Sequence, residues 1–450
     1  MFKNSEIFES SPIPRAVAKL ALPTMLTMLV NVLYNMVDTY FIGRTGDPNQ
    51  VAAVSIATPV FLFLMAAGNI FGVGGSAYIS RSLGEKQYGR VKSIASFCCY
   101  AGIFTGLVIG TVFIIFNKTI LTACGASKNT IGFASEYLKW IALGAPFVVF
   151  SFAFSNIVRG EGSAKTSMFG QMLGMVVNMI LDPIMILGMK MGVSGAAIAT
   201  IIGNICTCAF YLVYIFSSRR TALSISPADF RTNQGIFSNV FAIGTPASVN
   251  NVLMSLSSIL MNKFLANYGD IPIASMGIAM KANMFVVFMQ LGLAVGVLPL
   301  IGYNYGAKNY RRMTAIIRFS AITNLCIGTV LTLLYFWLTA PIVKIFIDNQ
   351  ETVSYGIQMV RALQLSMPVL GILFILSTAF QAMGKSIPSM VLSISRQGFV
   401  FFPTLILMNR FIGLNGIIYS QPIADIISIF IAIAMFFAIK KSFSKEQQTA

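Results

Sequence analysis

The chain has 450 residues, of which 56% are hydrophobic and 10% are charged, and its mean hydropathy is +0.79. Because soluble domains carry about 25% charged residues, an ordinary soluble enzyme is excluded. The net charge of +17 on so apolar a chain favours contact with anionic lipid headgroups over nucleic acid.

Continuous apolar runs follow one another along the chain, each at least about as long as the 20 residues that cross a bilayer as a helix. Such runs are longer than the strands of a membrane barrel. They predict an all-α integral membrane protein with twelve transmembrane helices, at 16–42, 52–80, 93–116, 131–156, 167–189, 193–217, 237–266, 272–303, 314–338, 353–381, 388–410 and 414–439.

The basic residues are distributed unevenly between the two sides of these spans. Nineteen lie on segments that share a side with the amino terminus, and six lie on the opposite loops. Lys and Arg concentrate on cytoplasmic loops. The first fifteen residues also lack the pattern of a signal peptide. We therefore expect a multi-pass protein of the cell (plasma) membrane with both termini in the cytoplasm.

An internal repeat relates the two halves of the chain at an offset of about 222 residues. Residues 81–86 (RSLGEK) fall on 303–308 (YNYGAK), and Pro146 falls on Pro368. Because each half holds an even number of spans, both halves enter the membrane in the same direction, as in the parallel repeats of secondary transporters. The sequence predicts two six-helix lobes that rock during transport, at 1–217 and 237–450, joined by a polar cytoplasmic linker at 218–236.

The chain contains no histidine and six cysteines. Without histidine, proton binding near neutral pH falls to carboxylates. The cysteines lack the spacing of a metal centre, so we expect no resident metal, no disulfide framework and no cofactor. A Walker motif for ATP is also missing from the sequence, which leaves an ion gradient as the energy source.

Two acidic residues within spans of the first lobe stand among neutral oxygen donors. Asp38 shares a helical face with Asn31 and Asn35, and Asp182 shares one with Asn178. Burying an ionised side chain costs about 2.5–3.5 kcal/mol even on the lenient insertion scale, so each acid needs a reason. We interpret Asp38 and Asp182 as one site that binds a proton or, alternatively, Na⁺. The alternative for each acid is a structural role, in which it caps a kinked helix, such as the one expected at Pro183, or pairs with a lysine.

The second lobe has a different set of charged residues within its spans. Asp425 lies near the middle of the last span, and Lys281, Arg361 and Arg396 lie in neighbouring ones. A neutralised structural pair is the favoured interpretation of Asp425, and the roles of the three basic residues stay open. Packing is the best explanation for any single methionine or aromatic residue. A group of them, however, forms an adaptable apolar surface that suits chemically diverse substrates. The candidate cleft residues are Asn31, Met254, Met280, Met284 and Phe288.

Four motifs in order along the chain resemble the multidrug and toxic compound extrusion (MATE) transporters, in particular the DinF-like and MepA-like members. They are 34–43 (YNMVDTYFIG), 68–77 (GNIFGVGGSA), Asp182-Pro183 and 299–307 (PLIGYNYGA). The resemblance covers nearly the whole chain and implies two lobes around a central cleft that export organic cations in exchange for H⁺ or Na⁺. It implies a cation site in the first lobe, at Asp38, Asn156, Asn178, Asp182 and Thr200, and Asn35 joins this set by its helical face.

The function expected from the sequence is therefore a monomeric multidrug efflux antiporter and not an enzyme. It would take small organic cations and amphipathic drugs as substrates. One alternative is a flippase for lipid-linked oligosaccharides, whose cleft would carry several basic residues such as Lys281, Arg361 and Arg396. A second alternative is a membrane scaffold or channel. The substrate spectrum and the choice between H⁺ and Na⁺ stay open at this point.

Overall fold

The computed structural model describes residues 5–218, 221–232, 235–346 and 349–448, and these residues form helices and connecting loops without a strand. Three short segments interrupt the α-helical pattern: the π-helix Pro183–Gly188, the 3₁₀ turn Pro227–Asp229 and the π-helix Ser395–Phe399. The α-helices are α1 Ser5–Glu9, α2 Ile13–Gly43, α3 Pro48–Gly84, α4 Tyr88–Ile115, α5 Asn117–Ala123, α6 Ile131–Leu143, α7 Ala145–Gly160, α8 Ala164–Asp182, α9 Gly192–Ser217, α10 Ile236–Ala266, α11 Asp270–Gly306, α12 Tyr310–Phe346, α13 Gln350–Gln364, α14 Met367–Ala382, α15 Ser386–Ile394, α16 Phe401–Ile412 and α17 Leu414–Gln448.

Every predicted apolar run lies on one of these helices or on a consecutive pair. Within the described part of the chain, nine helical segments are long and apolar enough to cross a membrane, and two bent pairs raise the number to eleven. The bent pairs are α6 with α7, at 58°, and α13 with α14, at 47°. The seventh run forms α10, a helix of 31 residues. The predicted all-helical membrane fold is confirmed.

The chain divides into two compact units, and each combines a short early segment with a long one. The first unit comprises Met1–Ser11 and Leu26–Ser248, and the second comprises Pro12–Met25 and Val249–Ala450. Helices α2 and α10 therefore each contribute residues to both units. The change of unit within each of these two helices lies within three residues of a proline, Pro23 in α2 and Pro246 in α10.

The backbone conformation repeats at the same offset as the sequence. Lys86 and Lys308 both adopt positive φ, at 59° and 57°, two residues after the ends of α3 and α11. Non-glycine residues adopt this left-handed conformation only uncommonly. Gly162 and Gly384, which are also 222 residues apart, have φ of 87° and 74°. The recurrence of unusual dihedrals at equivalent positions confirms the predicted repeat.

Part of the predicted linker 218–236 forms a strap on the first unit; residues 219–220 and 233–234 lie outside the described residues. The Ser96 and Tyr100 hydroxyls donate to the carbonyls of Ser226 and Ile225, each over 2.9 Å. Phe230 stacks on Phe97 with 6.1 Å between the ring centroids. These contacts dock the strap on the amino-terminal part of α4.

The first unit owes the close approach of α8 and α9 to glycine. A Cβ atom added at Gly174 would lie 2.1 Å from the Thr207 hydroxyl and 2.6 Å from the Gly203 carbonyl oxygen. Position 174 therefore has no room for a side chain. One turn earlier on α8, the Gly170 carbonyl accepts from Thr207 over 3.1 Å. Small residues let helix backbones approach closely in membranes. The middle of α8 is thereby held against the middle of α9.

Candidate functional site

The close packing of α8 on α9 brings together two of the polar residues predicted from the sequence. Asn178 on α8 is buried, and its Nδ2 donates to the buried Thr200 hydroxyl on α9 over 3.2 Å. On the same face of α9, Asn204 donates to the Thr200 carbonyl over 2.8 Å and accepts from Ser151 over 2.6 Å. Thr200 thus presents its hydroxyl to α8, and Asn204 bonds to its backbone.

Asp182 is the last residue of α8 and is completely buried. The next residue, Pro183, has no backbone N–H to donate, and the chain continues as the π-helix Pro183–Gly188. Its wider turn is closed by the Met189 N–H, which donates to the Ile184 carbonyl over 2.8 Å. The sequence predicted a kink at Pro183, and the local distortion there is a π-helix, a form that is frequent at functional sites.

The second acid, Asp38, comes from α2 and interacts electrostatically with Asp182. Within the described residues, the Oδ1 atoms of Asp38 and Asn178 and both carboxylate oxygens of Asp182 are buried without a hydrogen-bond partner. A buried oxygen left in this state costs about 1–3 kcal/mol, and more when it is charged. The structure therefore places four unsatisfied acceptor oxygens, from two acids and an amide, in one cluster.

Two tyrosines that the sequence analysis did not single out belong to this cluster. Tyr34 on α2 interacts with Asp38 and Asp182 and lies within hydrogen-bonding reach of the Thr200 hydroxyl. Tyr137 on α6 interacts with the same two acids and packs on the buried apolar group formed by Ile42, Ile186 and Ala196. Tyr34 precedes Asp38 by four residues, so helical spacing was a usable signal for it. Nothing in the sequence indicated Tyr137.

Two other candidates have different contacts. The side chain of Asn156 donates to the Phe152 carbonyl over 2.9 Å and accepts from the Arg159 guanidinium. Asn35 is exposed and donates to the side-chain oxygen of Asn31 over 2.8 Å. Neither residue contacts the four-oxygen cluster through a described hydrogen bond. In this conformation the cluster thus consists of Asp38, Asn178, Asp182 and Thr200 with the two tyrosines.

The remaining cleft candidates lie in different environments. Asn31 belongs to the first unit and is half-buried, whereas the other four belong to the second unit. Met254 and Met280 are exposed, and Met284 and Phe288 are half-buried. Large exposed apolar side chains on a membrane protein face either lipid or a substrate path.

Asp425, in contrast to Asp182, has a full set of partners. The Nε of Arg396 donates to its Oδ1 over 2.8 Å, which makes a buried ion pair. Gln421 donates to the same oxygen over 2.9 Å, and Ser366 donates to Oδ2 over 2.9 Å. Of the three basic residues named from the sequence, Arg396 is the partner, and Lys281 and Arg361 are exposed.

The comparison with protein families matches the chain twice. The MatE family model covers residues 23–184 and 246–406, one match in each half of the repeat. The chain belongs to the MatE family. The resemblance stated from the sequence motifs is thereby confirmed, and this MatE protein is a membrane transporter rather than an enzyme. Its multiple apolar helices make it a multi-pass membrane protein.

Relatives of known role extend over almost the whole MatE chain. It is 36% identical to the multidrug export protein MepA of Staphylococcus aureus (strain MSSA476) over 418 residues, which cover 93% of this chain and 92% of the relative. It is 34% identical over 433 residues to the MepA protein of Staphylococcus saprophyticus subsp. saprophyticus (strain ATCC 15305), covering 96% of this chain and 95% of that one.

Solved structures share the fold. The outward-facing conformation of a multidrug resistance MATE family transporter of the MOP superfamily matches with a TM-score of 0.93 at 24% identity, covering 98% of this chain and 99% of the other. A MATE crystal structure in the straight conformation matches with a TM-score of 0.92 at the same identity and coverage. These likenesses support the all-helical membrane fold described above.

Proposed function

We propose that this MatE protein is a multidrug efflux antiporter that exports organic cations and amphipathic drugs across the cell membrane in exchange for H⁺ or Na⁺. The relatives named as multidrug export proteins support the substrate class. The protein acts as a monomer with both termini in the cytoplasm. Transport proceeds by alternating access, with lobes at 1–217 and 237–450 that rock on either side of the linker 218–236.

The main support for a cation-coupling site is the group of four buried oxygens without hydrogen-bond partners at Asp38, Asn178 and Asp182. No described salt bridge involves either acid, because the described ion pairs are Arg90 with Glu85 and Arg396 with Asp425. A carboxylate pair in a desolvated environment attracts a cation, either by taking up a proton or by ligating Na⁺ through oxygen atoms. A cation bound at this site interacts with the four oxygens that have no hydrogen-bond partner among the described residues.

Coupling requires the cation and the drug to prefer different conformations. Binding at the acid cluster neutralises charge on α2 and at the end of α8, which favours a conformation of the transporter with low affinity for drug. Linkage is reciprocal, so bound drug lowers the affinity for the cation by the same factor. An inward gradient of H⁺ or Na⁺ then drives the export of drug.

Transport by purified protein in liposomes tests this proposal. Efflux of an ethidium-like cation is measured under a pH gradient alone and under a Na⁺ gradient alone, and the gradient that drives efflux identifies the ion. The Asp38→Asn and Asp182→Asn variants should each abolish driven efflux. The matched control is Asp47→Asn, because Asp47 caps α3 by accepting from the Asn49 N–H and Asn caps a helix equally well. Full efflux by the Asp38→Asn/Asp182→Asn double variant would contradict the coupling site.

A further inference from the structure

Arg396 of the second unit is held in place from two sides. It lies in the π-helix Ser395–Phe399, and its Nε donates to the buried carboxylate of Asp425 over 2.8 Å. Its guanidinium carbon lies 5.2 Å from the centroid of the Phe374 ring. A cation over an aromatic face is attracted by the ring quadrupole. The plane of the guanidinium is therefore fixed before any ligand arrives.

The Arg396 side chain keeps unused donors. Asp425 meets only its Nε, and within the described residues its two Nη groups have no hydrogen-bond or ion-pair partner. The side chain remains 13% exposed, whereas that of Asp425 is fully buried. The two Nη groups of an arginine form a planar fork that matches the two oxygens of a carboxylate. Hydrogen bonds to this fork do not require the existing ion pair to break, because Asp425 contacts Nε.

The depth of Arg396 in its span argues against a lipid headgroup as the partner. Arg396 lies ten residues after the start of the 27-residue span Ser386–Ile412, about 15 Å along a helix. Headgroups lie at the ends of a span and not at this depth. An anion that reaches Arg396 must therefore be part of a molecule that enters the interior of the unit, as a transported substrate does.

The charge balance of the second unit also favours an anion. Lys281 and Arg361 lie within spans of this unit, eleven residues after the starts of α11 and α13. With Arg396, they are three basic residues that lie ten or eleven residues after the starts of their helical segments, and Asp425, eleven residues after the start of α17, is the acid at the matching position. Asp425 already accepts from Arg396, Gln421 and Ser366. Because its one negative charge does not balance the three positive charges, a further anion near Arg396 is favoured.

We propose that the Nη fork of Arg396 is a subsite for the carboxylate of transported zwitterionic amphipathic molecules. This inference rests on the proposed export of amphipathic drugs and adds a recognition element for their anionic group. The subsite discriminates between a free carboxylate and its neutral ester, which is a difference the acid cluster of the first unit does not explain.

The test compares two rhodamine dyes that differ only in a free carboxylate or its methyl ester. Transport of each dye by purified protein in liposomes is measured, and the ratio of carboxylate to ester transport is the readout. In the Arg396→Gln/Asp425→Asn variant both charges of the pair are removed, so no unpaired buried charge remains. We expect the ratio to fall about tenfold, as the loss of a charge-assisted hydrogen bond implies. The matched control is Arg410→Gln, an exposed arginine on α16, which should leave the ratio unchanged.

A ratio equal to that of the wild type in the double variant would overturn the subsite. If the double variant is not recovered folded, Arg396→Lys decides, because lysine keeps the charge and loses the planar fork. A ratio lowered several-fold then supports the subsite, and an unchanged ratio contradicts it. Absence of transport of both dyes by the wild type would contradict the proposed function instead. In that case equilibrium binding of the two dyes to detergent-solubilised protein decides the subsite: tighter binding of the carboxylate dye supports it, and equal or weaker binding contradicts it.

Discussion

Asn178 donates through Nδ2 to the Thr200 hydroxyl over 3.2 Å, and this bond leaves the Asn178 Oδ1 atom without a partner in the described structure. The hydrogen bond thus orients the amide, with its donor side occupied and its acceptor side free beside two acids. Because both partners of this bond are buried, the oxygen is held in position before a cation binds, which reduces the entropy lost on binding.

Thr200→Val should impair cation coupling while leaving the fold intact. Valine has nearly the shape of threonine but cannot accept from Asn178, so the amide loses its orienting partner. We expect driven efflux to fall about tenfold at a limiting cation gradient, in line with the loss of one buried hydrogen bond. Thr200→Ser should restore most of the efflux. Thr111→Val provides the control, because Thr111 is exposed and its described hydrogen bond goes to the Leu107 carbonyl of its own helix.

Tyr137→Phe should weaken binding of the coupling cation. Tyr137 lies within electrostatic range of both acids, and the substitution removes its hydroxyl while keeping the ring that packs on the group of Ile42, Ile186 and Ala196. The concentration of Na⁺ or H⁺ that gives half-maximal efflux should rise about three- to tenfold. Tyr40→Phe, at an exposed position of α2, should not change that concentration. An equal effect of both substitutions would show that Tyr137 does not belong to the site.

Gly174→Ala should destabilise the first unit. The added Cβ atom would lie 2.1 Å from the Thr207 hydroxyl, so α8 must move away from α9 and carry Asn178 from Thr200. Overpacking of this kind costs about 1–3 kcal/mol. Thermal unfolding of the purified protein measures the effect as a lower Tm. The control is Gly277→Ala, where nothing lies within 4 Å and alanine should stabilise α11 by up to about 1 kcal/mol. A Tm for Gly174→Ala equal to that of the control would contradict the close packing.

Glu161→Gln should release the strap of the linker from the first unit. The buried Glu161 carboxylate accepts from the Tyr214 hydroxyl, from the Thr221 hydroxyl over 2.8 Å and from the Ala222 N–H over 3.2 Å. Glutamine replaces one carboxylate oxygen by an NH₂ group, which would face one of these three donors and could not accept from it. Hydrogen exchange of 221–232 should become faster, and the exposed Glu85→Gln variant should not show this change. Unchanged protection in Glu161→Gln would mean that Ser96 and Tyr100 hold the strap alone.

The same glutamate should make stability depend on pH. Burial raises the pKa of Glu161 above its ordinary value of 4.5, so between these two pKa values the native state binds more protons than the unfolded state. The free energy of unfolding contributed by this group therefore falls as pH rises from 4.5 through the raised pKa. The Tm of the wild type should decline relative to that of Glu161→Gln over this interval. A Tm difference that does not change with pH would contradict the raised pKa.

Much of the fold and part of the candidate site could be predicted from the sequence. Long apolar runs predict spans because a bilayer demands continuous helices, and the repeat offset follows from motifs such as 81–86 and 303–308. Asp38 and Asp182 stood out because an ionised group in an apolar run is costly. Their proposed role as a cation site is a hypothesis that the transport experiments must test.

The remaining site residues depend on packing that spacing along one helix does not reveal. Asn35 shares a face with Asp38, yet its amide bonds to Asn31. Asn156 carries a suitable oxygen, but Arg159 occupies it. Tyr137 comes from α6, a different helix, and an apolar run gives no sign of where a phenol hydroxyl points. In each case the deciding contact joins groups whose geometry only the folded chain sets.

The sequence alone determined that this chain is a membrane-embedded helical repeat with two acids in the spans of its first half. Its strong apolar bias and its scarcity of acids were sufficient for this. Those are consequences of solvation, which acts on each residue type wherever it lies. Tertiary structure alone decided which acid has partners. Asp425 is neutralised by Arg396, whereas the two carboxylate oxygens of Asp182 have no hydrogen-bond partner among the described residues. Hydrogen bonds and ion pairs act over about 3 Å, so they are set by the packing of helices far apart in the chain.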